Sequence, residues 1–434
     1  MTQLANVGQG SAYDVVLKDF YEGPIRDHIN NNTTILKQVE KSKRKWTGRQ
    51  VLFPVHLRRN TGVGARGEQG SLPTAGRQTY VESQIRAKYM YGRITLSGAV
   101  IAASRGDKGA FASALRTEVD GMRTDLRDDM NRQCFGNNPG ATGLGTLDFS
   151  TNSETGVLGT ITAVAGDTVT CTVTNPGTRF LKQGMTVVGG TKTELDDPTT
   201  MTGKAVLTVA SITDSSTVVF TAAGGVANDA LCRGDSQDYS YNQEITGIDM
   251  IVSNTGTLQN INPANDTEWK SSLLHNRTDA TDPTTGTNRP LSLELMQLAV
   301  DSCDEVGGTE PDYIIGHHSM RREYINLLSS DVRYSAESLK GGQTVLTFAG
   351  GSSPIKIEFD KHAPYNKLFF LRTKDLRLFV QQDWKWADRD GSTFARVTGS
   401  DSWEAFMCFY GNLGCERRNT HAVLTELNAS NLIF

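Results

Sequence analysis

Among the residue types that do chemistry, the chain has seven histidines and six cysteines. His317 and His318 are adjacent, so on a strand or a helix their rings point apart and do not easily share one metal. Cys134, Cys171, Cys232, Cys303, Cys408 and Cys415 form no C-x-x-C pair. That argues against a zinc site or a disulfide framework, and for free thiols in a reducing cytosol. The sequence has no H-E-x-x-H, no G-x-S-x-G elbow and no G-x-x-x-x-G-K-[ST] loop, so metalloprotease, hydrolase and P-loop chemistry lack a local signature. Asp128-Asp129 and Asp196-Asp197 are acidic pairs with no neighbouring histidine or glycine-rich loop, the usual pattern of surface charge. Gly62, Gly64 and Gly67 match G-x-G-x-x-G, whose glycines end a buried strand and open a helix that holds a pyrophosphate. Here EQGSLPTAG follows, a poor helix opening, and glycine flexibility is the better account. Arg233-Gly234-Asp235 has the form of a receptor-binding triplet of secreted proteins, but nothing else points to secretion. No residue is assigned to catalysis, a cofactor or a metal.

The elements that would position any site are more informative. Asp107 to Cys134 places Phe111, Leu115, Val119, Met122, Leu126, Met130 and Cys134 at steps of four and three, one face of a helix. Asp107 is a candidate N-cap and Gly136 a stop signal. Charges crowd the other faces, so the helix reads either as a spine with structure on one side or as an amphipathic helix of a large enzyme. Gln50–Arg59 and Gln78–Leu96 read as two long strands joined by a glycine-rich tip. A two-stranded ribbon alone is marginally stable in water, so it must lie on something. The tip carries Arg58, Arg59, Arg66, Glu68 and Arg77, too polar for this chain's own core, and a neighbouring subunit is its natural partner. Lys41, Lys43, Arg44 and Lys45 form a basic run, more often solvated than bound to nucleic acid.

With 434 residues, 37% hydrophobic and 21% charged, the chain is globular and exceeds one ordinary domain. The N-terminus shows no signal peptide, and no apolar run is long enough to span a bilayer. Net charge is −4, which argues against broad phosphate neutralisation. From Gly156 to about Asp235 threonine, valine and glycine dominate. Val169, Cys171 and Val173 share one strand face, and Val206, Val209, Ile212, Val218 and Phe220 mark two strands around Asp214-Ser215-Ser216. This predicts an inserted β-barrel or sandwich. Beyond it, EITGIDMIVSN reads as a strand, Leu291–Val306 as a helix behind Pro290, Asp312–Ile315 as a buried strand, and Ser319–Leu328 as a helix with a Ser N-cap. LFFLRTKDLRLFV reads as two strands around Lys374-Asp375, with Trp384 and Trp386 on one face of the second. The final run, from Thr393, is long, extended and aromatic.

This order of parts resembles the major capsid protein of tailed bacteriophages, with the Johnson-type coat-protein fold. PDYIIGHHSMRREYINLLSSDVRY and SWEAFMCFYGNLGCERRN agree with that family's style, and the resemblance covers nearly the whole chain apart from 156–235. It implies an α+β phage capsid fold in six parts. These are an N-terminal arm (1–46), an extended loop or β-hairpin (47–97), a peripheral domain with the spine helix (98–155), the inserted β domain (156–235), an axial domain (236–376) and closing peripheral strands (377–434). It further implies hexamers and pentamers, an icosahedral shell around non-specifically packaged double-stranded DNA, no membrane, and location in the virion after assembly in the host cytoplasm. The arm begins at Met1 and is too short for a cleaved scaffold segment, so a separate scaffolding protein is expected, with a portal. The tip lacks lysine and Lys88 lies well down the ribbon, so closure is expected to be noncovalent, through Arg58, Arg59, Arg66 and Arg77 on a neighbour's carboxylates. The alternatives are an encapsulin-like nanocompartment, an NAD-dependent enzyme using Gly62, Gly64 and Gly67, and a decoration or adhesion protein.

Overall fold

A computed structural model of the chain describes residues 33–44, 46, 48–98, 112–136, 155–164, 170–174, 177–197, 201, 203–221, 230–276, 288–329, 346–387 and 395–428. The arm up to residue 32, the candidate cap Asp107 and Phe111 lie outside them. Four β assemblies and one long helix organise the described residues. The long helix, Ala112–Phe135, has 24 residues and runs about 36 Å at 1.5 Å per residue. Leu126, Met130 and Cys134 of the apolar stripe are buried, and Val119 and Met122 are half-buried. Leu115 is in the helix, but its side chain is outside the described set. Solvent does not reach the other faces throughout: from Met130 to Phe135 every residue is buried, so the last turns are enclosed on all sides. Gly136 ends the helix in the left-handed conformation, at φ 72°.

The helix packs on a five-stranded sheet. Its centre is the 14-residue strand Ser402–Cys415, paired antiparallel with Lys88–Ser97 on one side and Leu376–Trp386 on the other. Gly92 clears the way, since a Cβ there would stand 2.6 Å from Leu126 Cδ1. Glu40–Lys41, at the end of the arm, pairs parallel with Arg377–Leu378. In the arm's basic run, Lys41 is bonded to Asp383 and Arg44 to Glu416.

A six-stranded mixed sheet lies next to it, in the order Ser272–Leu274, Ala422–Leu424, Leu368–Leu371, Tyr313–Gly316, Ile355–Phe359, Leu346–Phe348. Met296, Ala299, Val300 and Cys303 of helix Leu293–Gly307 and Met320 and Tyr324 of helix His318–Ser329 share one core with this sheet. Ser292 caps the first helix by accepting from Leu295 N (3.2 Å), and Gly308 closes it at φ 65°. For the second helix the expected Ser cap is corrected: His317 Nδ1 accepts from Ser319 N at 3.1 Å, because the helix begins one residue earlier. The two strands expected around Lys374-Asp375 are Leu368–Leu371 and Leu376–Trp386, on either side of the turn Thr373–Asp375, and they enter different sheets. A further correction concerns the chain path. Ala422–Leu424 joins the mixed sheet instead of closing the five-stranded one. EITGIDMIVSN is not a strand. Ile248–Ile251 is a helical turn, with Ile245, Ile248 and Ile251 buried at a spacing of three.

Between Val157 and Arg233 six strands close a barrel. Cys171, Val173, Val209, Val218 and Phe220 fill it, while Val206 and Ile212 face outward. Asp214 Oδ1 accepts from Ser216 N (2.7 Å) and Thr217 N (2.8 Å) and so fixes the expected turn.

Candidate assembly interface

The ribbon consists of Gln50–Arg58 and Thr79–Arg86 in antiparallel register. Alternation sends Val51 and Phe53 to one face, where with Ile85 they pack on Phe379 of the five-stranded sheet. The Phe53 and Phe379 rings are stacked with centroids 6.2 Å apart, and the Arg44 guanidinium lies 4.9 Å from the Phe53 centroid. A Cβ on Gly414 would meet Ile85 Cδ1 at 2.4 Å, so this glycine lets the ribbon root lie on the sheet. The turn at Gln259 and Asn260, with φ 54° and 68°, then clips the second strand: Gln84 N donates to Gln259 O (2.9 Å) and Ser83 Oγ to Gln259 Oε1 (2.8 Å). A cavity of about 300 Å³ remains between this turn, Gln84–Arg86 and Asn412. The root thus rests on its own chain.

The long extended run Gln78–Leu96 is also two strands. It breaks at Ala87, and Lys88–Ser97 leaves the ribbon for the five-stranded sheet. Lys88 turns inward, bonds the carbonyl of Asn242, and is lowered in pKa by burial.

The tip behaves differently. Residues 59–78 hold no helix or strand, and Val63 and Leu72 are 84% and 88% exposed. Arg59, Glu68 and Arg77 are exposed and have no hydrogen-bond or ion-pair partner among the described residues. Arg66 folds onto its own loop, donating to Ser71 O at 3.1 Å. Arg58 has partners within its own chain. Its Nε lies 3.2 Å from both Glu268 carboxylate oxygens, and its Nη2 donates to Asn265 O (2.8 Å) and Asp266 Oδ1 (3.2 Å). It is held by an acidic loop of its own chain, some 210 residues downstream.

A second polar centre joins helix, barrel and mixed sheet. Arg132 is buried and donates to Glu244 Oε1 (2.6 Å) and Asp129 Oδ1 (2.9 Å). Burial pushes the Asp129 carboxyl up, but Arg132 and Arg233 outweigh it and hold it low. Glu244, more completely enclosed, is pushed up by burial against the pull of Arg132. Asp128 meets Lys361 Nζ at 2.5 Å and His362 Nε2 at 3.6 Å. The Asn131 amide donates to Asp360 Oδ2 (2.9 Å) and His362 Nδ1 (3.0 Å). From the barrel, Arg179 donates to Ala363 O (2.9 Å) and His362 O (2.6 Å). Asp128-Asp129 is therefore not surface charge. The histidine that meets it lies 234 residues away in the sequence, so no local pattern pointed to it.

The motifs that suggested enzymes or receptors resolve structurally. No strand ends at Gly62 and no helix opens after Gly67. Arg233 lies 3.8 Å from Asp129, and Asp235 Oδ1 accepts from Gln237 N (2.7 Å), so the triplet is part of the barrel exit. Cys415 Sγ and His421 Nε2 are 3.5 Å apart, the spacing of a nucleophile and base. Burial pushes the Cys415 thiol above its usual range and drops the His421 imidazole to about 3, so neither carries the charge such a pair needs. Among the described residues no three His, Cys, Asp or Glu side chains are grouped to hold a metal, and no helix is long and apolar enough to cross a membrane.

No family model and no curated protein matches the chain. Solved structures do. The cyanophage A-1(L) capsid asymmetric unit is 12% identical, with 95% of this chain and 98% of that chain covered and a TM-score of 0.59. A Gordonia phage Cozz structure is 10% identical, covers 99% of each chain and has a TM-score of 0.47. A Mycobacterium phage Bobi structure is 10% identical, covers 96% and 98%, and has a TM-score of 0.46. The chain has the phage capsid fold, a mixed α+β architecture with more strand than helix.

Proposed function

We propose that the chain is the major coat protein of a tailed bacteriophage, assembling into hexamers and pentamers that close an icosahedral shell around double-stranded DNA. The observation that carries this is the match to a capsid chain over 95% of the length, combined with a tip whose apolar residues Val63 and Leu72 are exposed and whose Arg59, Glu68 and Arg77 meet no partner among the described residues. In this assignment 1–46 is the arm, 47–97 the extended loop, 98–155 the peripheral domain with its spine helix, and 156–235 the inserted barrel. Residues 236–376 form the axial domain, joined by Ala422–Leu424, and the rest of 377–434 closes the peripheral sheet. Arg59, Arg66, Glu68 and Arg77 meet the neighbouring subunit, whereas Arg58 stays on its own acidic loop. The barrel braces the subunit, through Arg179 and the Arg132 cluster. A separate scaffolding protein and a portal complete assembly in the host cytoplasm, and the net charge of −4 keeps DNA from adhering to the inner wall. Negative-stain microscopy of the full-length protein, expressed with and without candidate scaffolding proteins, tests this. Capsomer rings or round shells are expected, and uniform small particles under every condition contradict it.

A further inference from the structure

One face of the five-stranded sheet is covered in two unequal parts. Near Phe379 and Gly414 the ribbon root covers it. Further along strand Lys88–Ser97 the same face carries Tyr89 and Tyr91, two residues apart and 55% and 56% exposed. Tyr89 is directly opposite Tyr410 on the central strand, with ring centroids 5.2 Å apart, and Tyr91 stands 6.0 Å from the same ring; both contacts are edge-on. Edge-on packing of this kind holds the rings in fixed positions. Arg93, two residues beyond, is neutralised by Glu404. The result is a tyrosine platform continuous with the patch that already seats a ribbon.

Tyrosine offers a large rigid surface whose face attracts cations, and little entropy is lost when it is covered. The side chains this platform fits are arginines accompanied by apolar groups. The chain's own tip has that composition, with Arg59, Arg66 and Arg77 beside the exposed Val63 and Leu72. Its own copy does not deliver them: Arg58 ties the ribbon to Asp266 and Glu268, and among the described contacts no cation lies over Tyr89 or Tyr91. We propose that Tyr89, Tyr91 and Tyr410 form the receptor for the ribbon tip of a second copy, whose arginines stack on the rings while Val63 and Leu72 cover the apolar remainder. This rests on the coat-protein assignment and adds to it the acceptor on the neighbour.

The test places a photo-crosslinking benzoylphenylalanine at position 91, exposed and already aromatic, in the full-length protein. Shells or capsomers are assembled from a mixture of normal and heavy-isotope protein, irradiated, and mapped by peptide mass spectrometry. Mixed-isotope crosslinks from position 91 to residues 59–78 are expected. The reciprocal probe at Leu72 should reach the peptides around 89–91 and 410. Assembled particles whose crosslinks fall on other segments, on nucleic acid, or nowhere overturn the platform and leave the coat-protein assignment standing. Failure of the unsubstituted protein to form any particle removes both. In a second variant, Tyr89→Phe with Tyr91→Phe keeps the rings and should assemble as the parent does. Tyr89→Ser with Tyr91→Ser should need about tenfold more protein to assemble at an unchanged melting temperature.

Discussion

Replacing Arg132 by methionine tests the buried centre that joins helix, barrel and sheet. The guanidinium is enclosed and donates to two carboxylates, at 2.6 Å to Glu244 and 2.9 Å to Asp129. Asp129 keeps Gln133 (2.8 Å) and Arg233 (3.8 Å) when the arginine goes, but Glu244 has no other ion pair among the described residues. Breaking a buried pair by removing one partner costs about 3–5 kcal/mol, because an uncompensated charge stays inside. With an unfolding entropy of about 2.1 cal/mol/K per residue, some 400 residues melting together turn about 4 kcal/mol into a fall of about 5 °C in Tm. The pH dependence has a definite sign. With Arg132 absent, burial and the neighbouring Asp129 carboxylate still push Glu244 up, opposed only by the more distant Arg233 and Lys88, so its folded pKa rises further above the unfolded value. The protonated form is then favoured on folding, so the variant's deficit shrinks on acidification and grows as pH rises through that folded pKa. Replacing both partners, Arg132→Met with Glu244→Met, removes the stranded charge and should recover most of the loss. Scanning calorimetry or dye-monitored melting of the four proteins at two pH values measures this cycle. A double variant that melts as low as the sum of the singles, or a single variant whose deficit does not change with pH, refutes the electrostatic account.

Burial pushes the Asp360 carboxyl up, but hydrogen bonds from His362 and Asn131 outweigh it and hold it at about 2. Its stabilisation is therefore full above the unfolded pKa of about 3.9 and lost as pH falls towards 2, so acid titration by circular dichroism should show Asp360→Asn with a shallower loss in that window. Gly247→Ala places a Cβ 2.5 Å from Gly136 Cα and should cost about 1–3 kcal/mol, whereas Gly121→Ala, in the long helix with nothing within 4 Å, should gain about 0.5–1 kcal/mol; chemical denaturation compares them. All six cysteines are buried, and burial pushes Cys134 and Cys303 to about 12, so a thiol reagent should label none of them before denaturant is added.

Local periodicity made the long helix and the barrel strands legible. Steps of three and four placed Leu126, Met130 and Cys134 on the buried face, and alternation put Cys171 and Val173 inside the barrel. Continuous apolar runs were ambiguous: ITGIDMIV suits a buried strand and a buried helical turn equally, and packing around Gly136 and Gly247 settles it. Pairings between distant segments left no local trace. Nothing near Arg58 announces Glu268, nothing near Asp128 announces His362, and the sequence from Gln78 to Leu96 runs smoothly through Ala87, where the chain changes sheets. The tip was legible because its polarity and glycine content exclude it from any core, whatever the rest of the chain does.

In the coat-protein assignment the tip is required between copies and dispensable within one. Residues 60–77 can be replaced by a two-residue Asn-Gly turn, which suits the antiparallel strands on either side. Sedimentation velocity of the full-length and shortened proteins, under conditions where the full-length chain assembles, is the direct measurement. The account predicts that the shortened protein keeps the parent's melting temperature to within about 2 °C yet sediments as single subunits. A shortened protein that still forms the parent's large particles, or one that no longer folds, contradicts it.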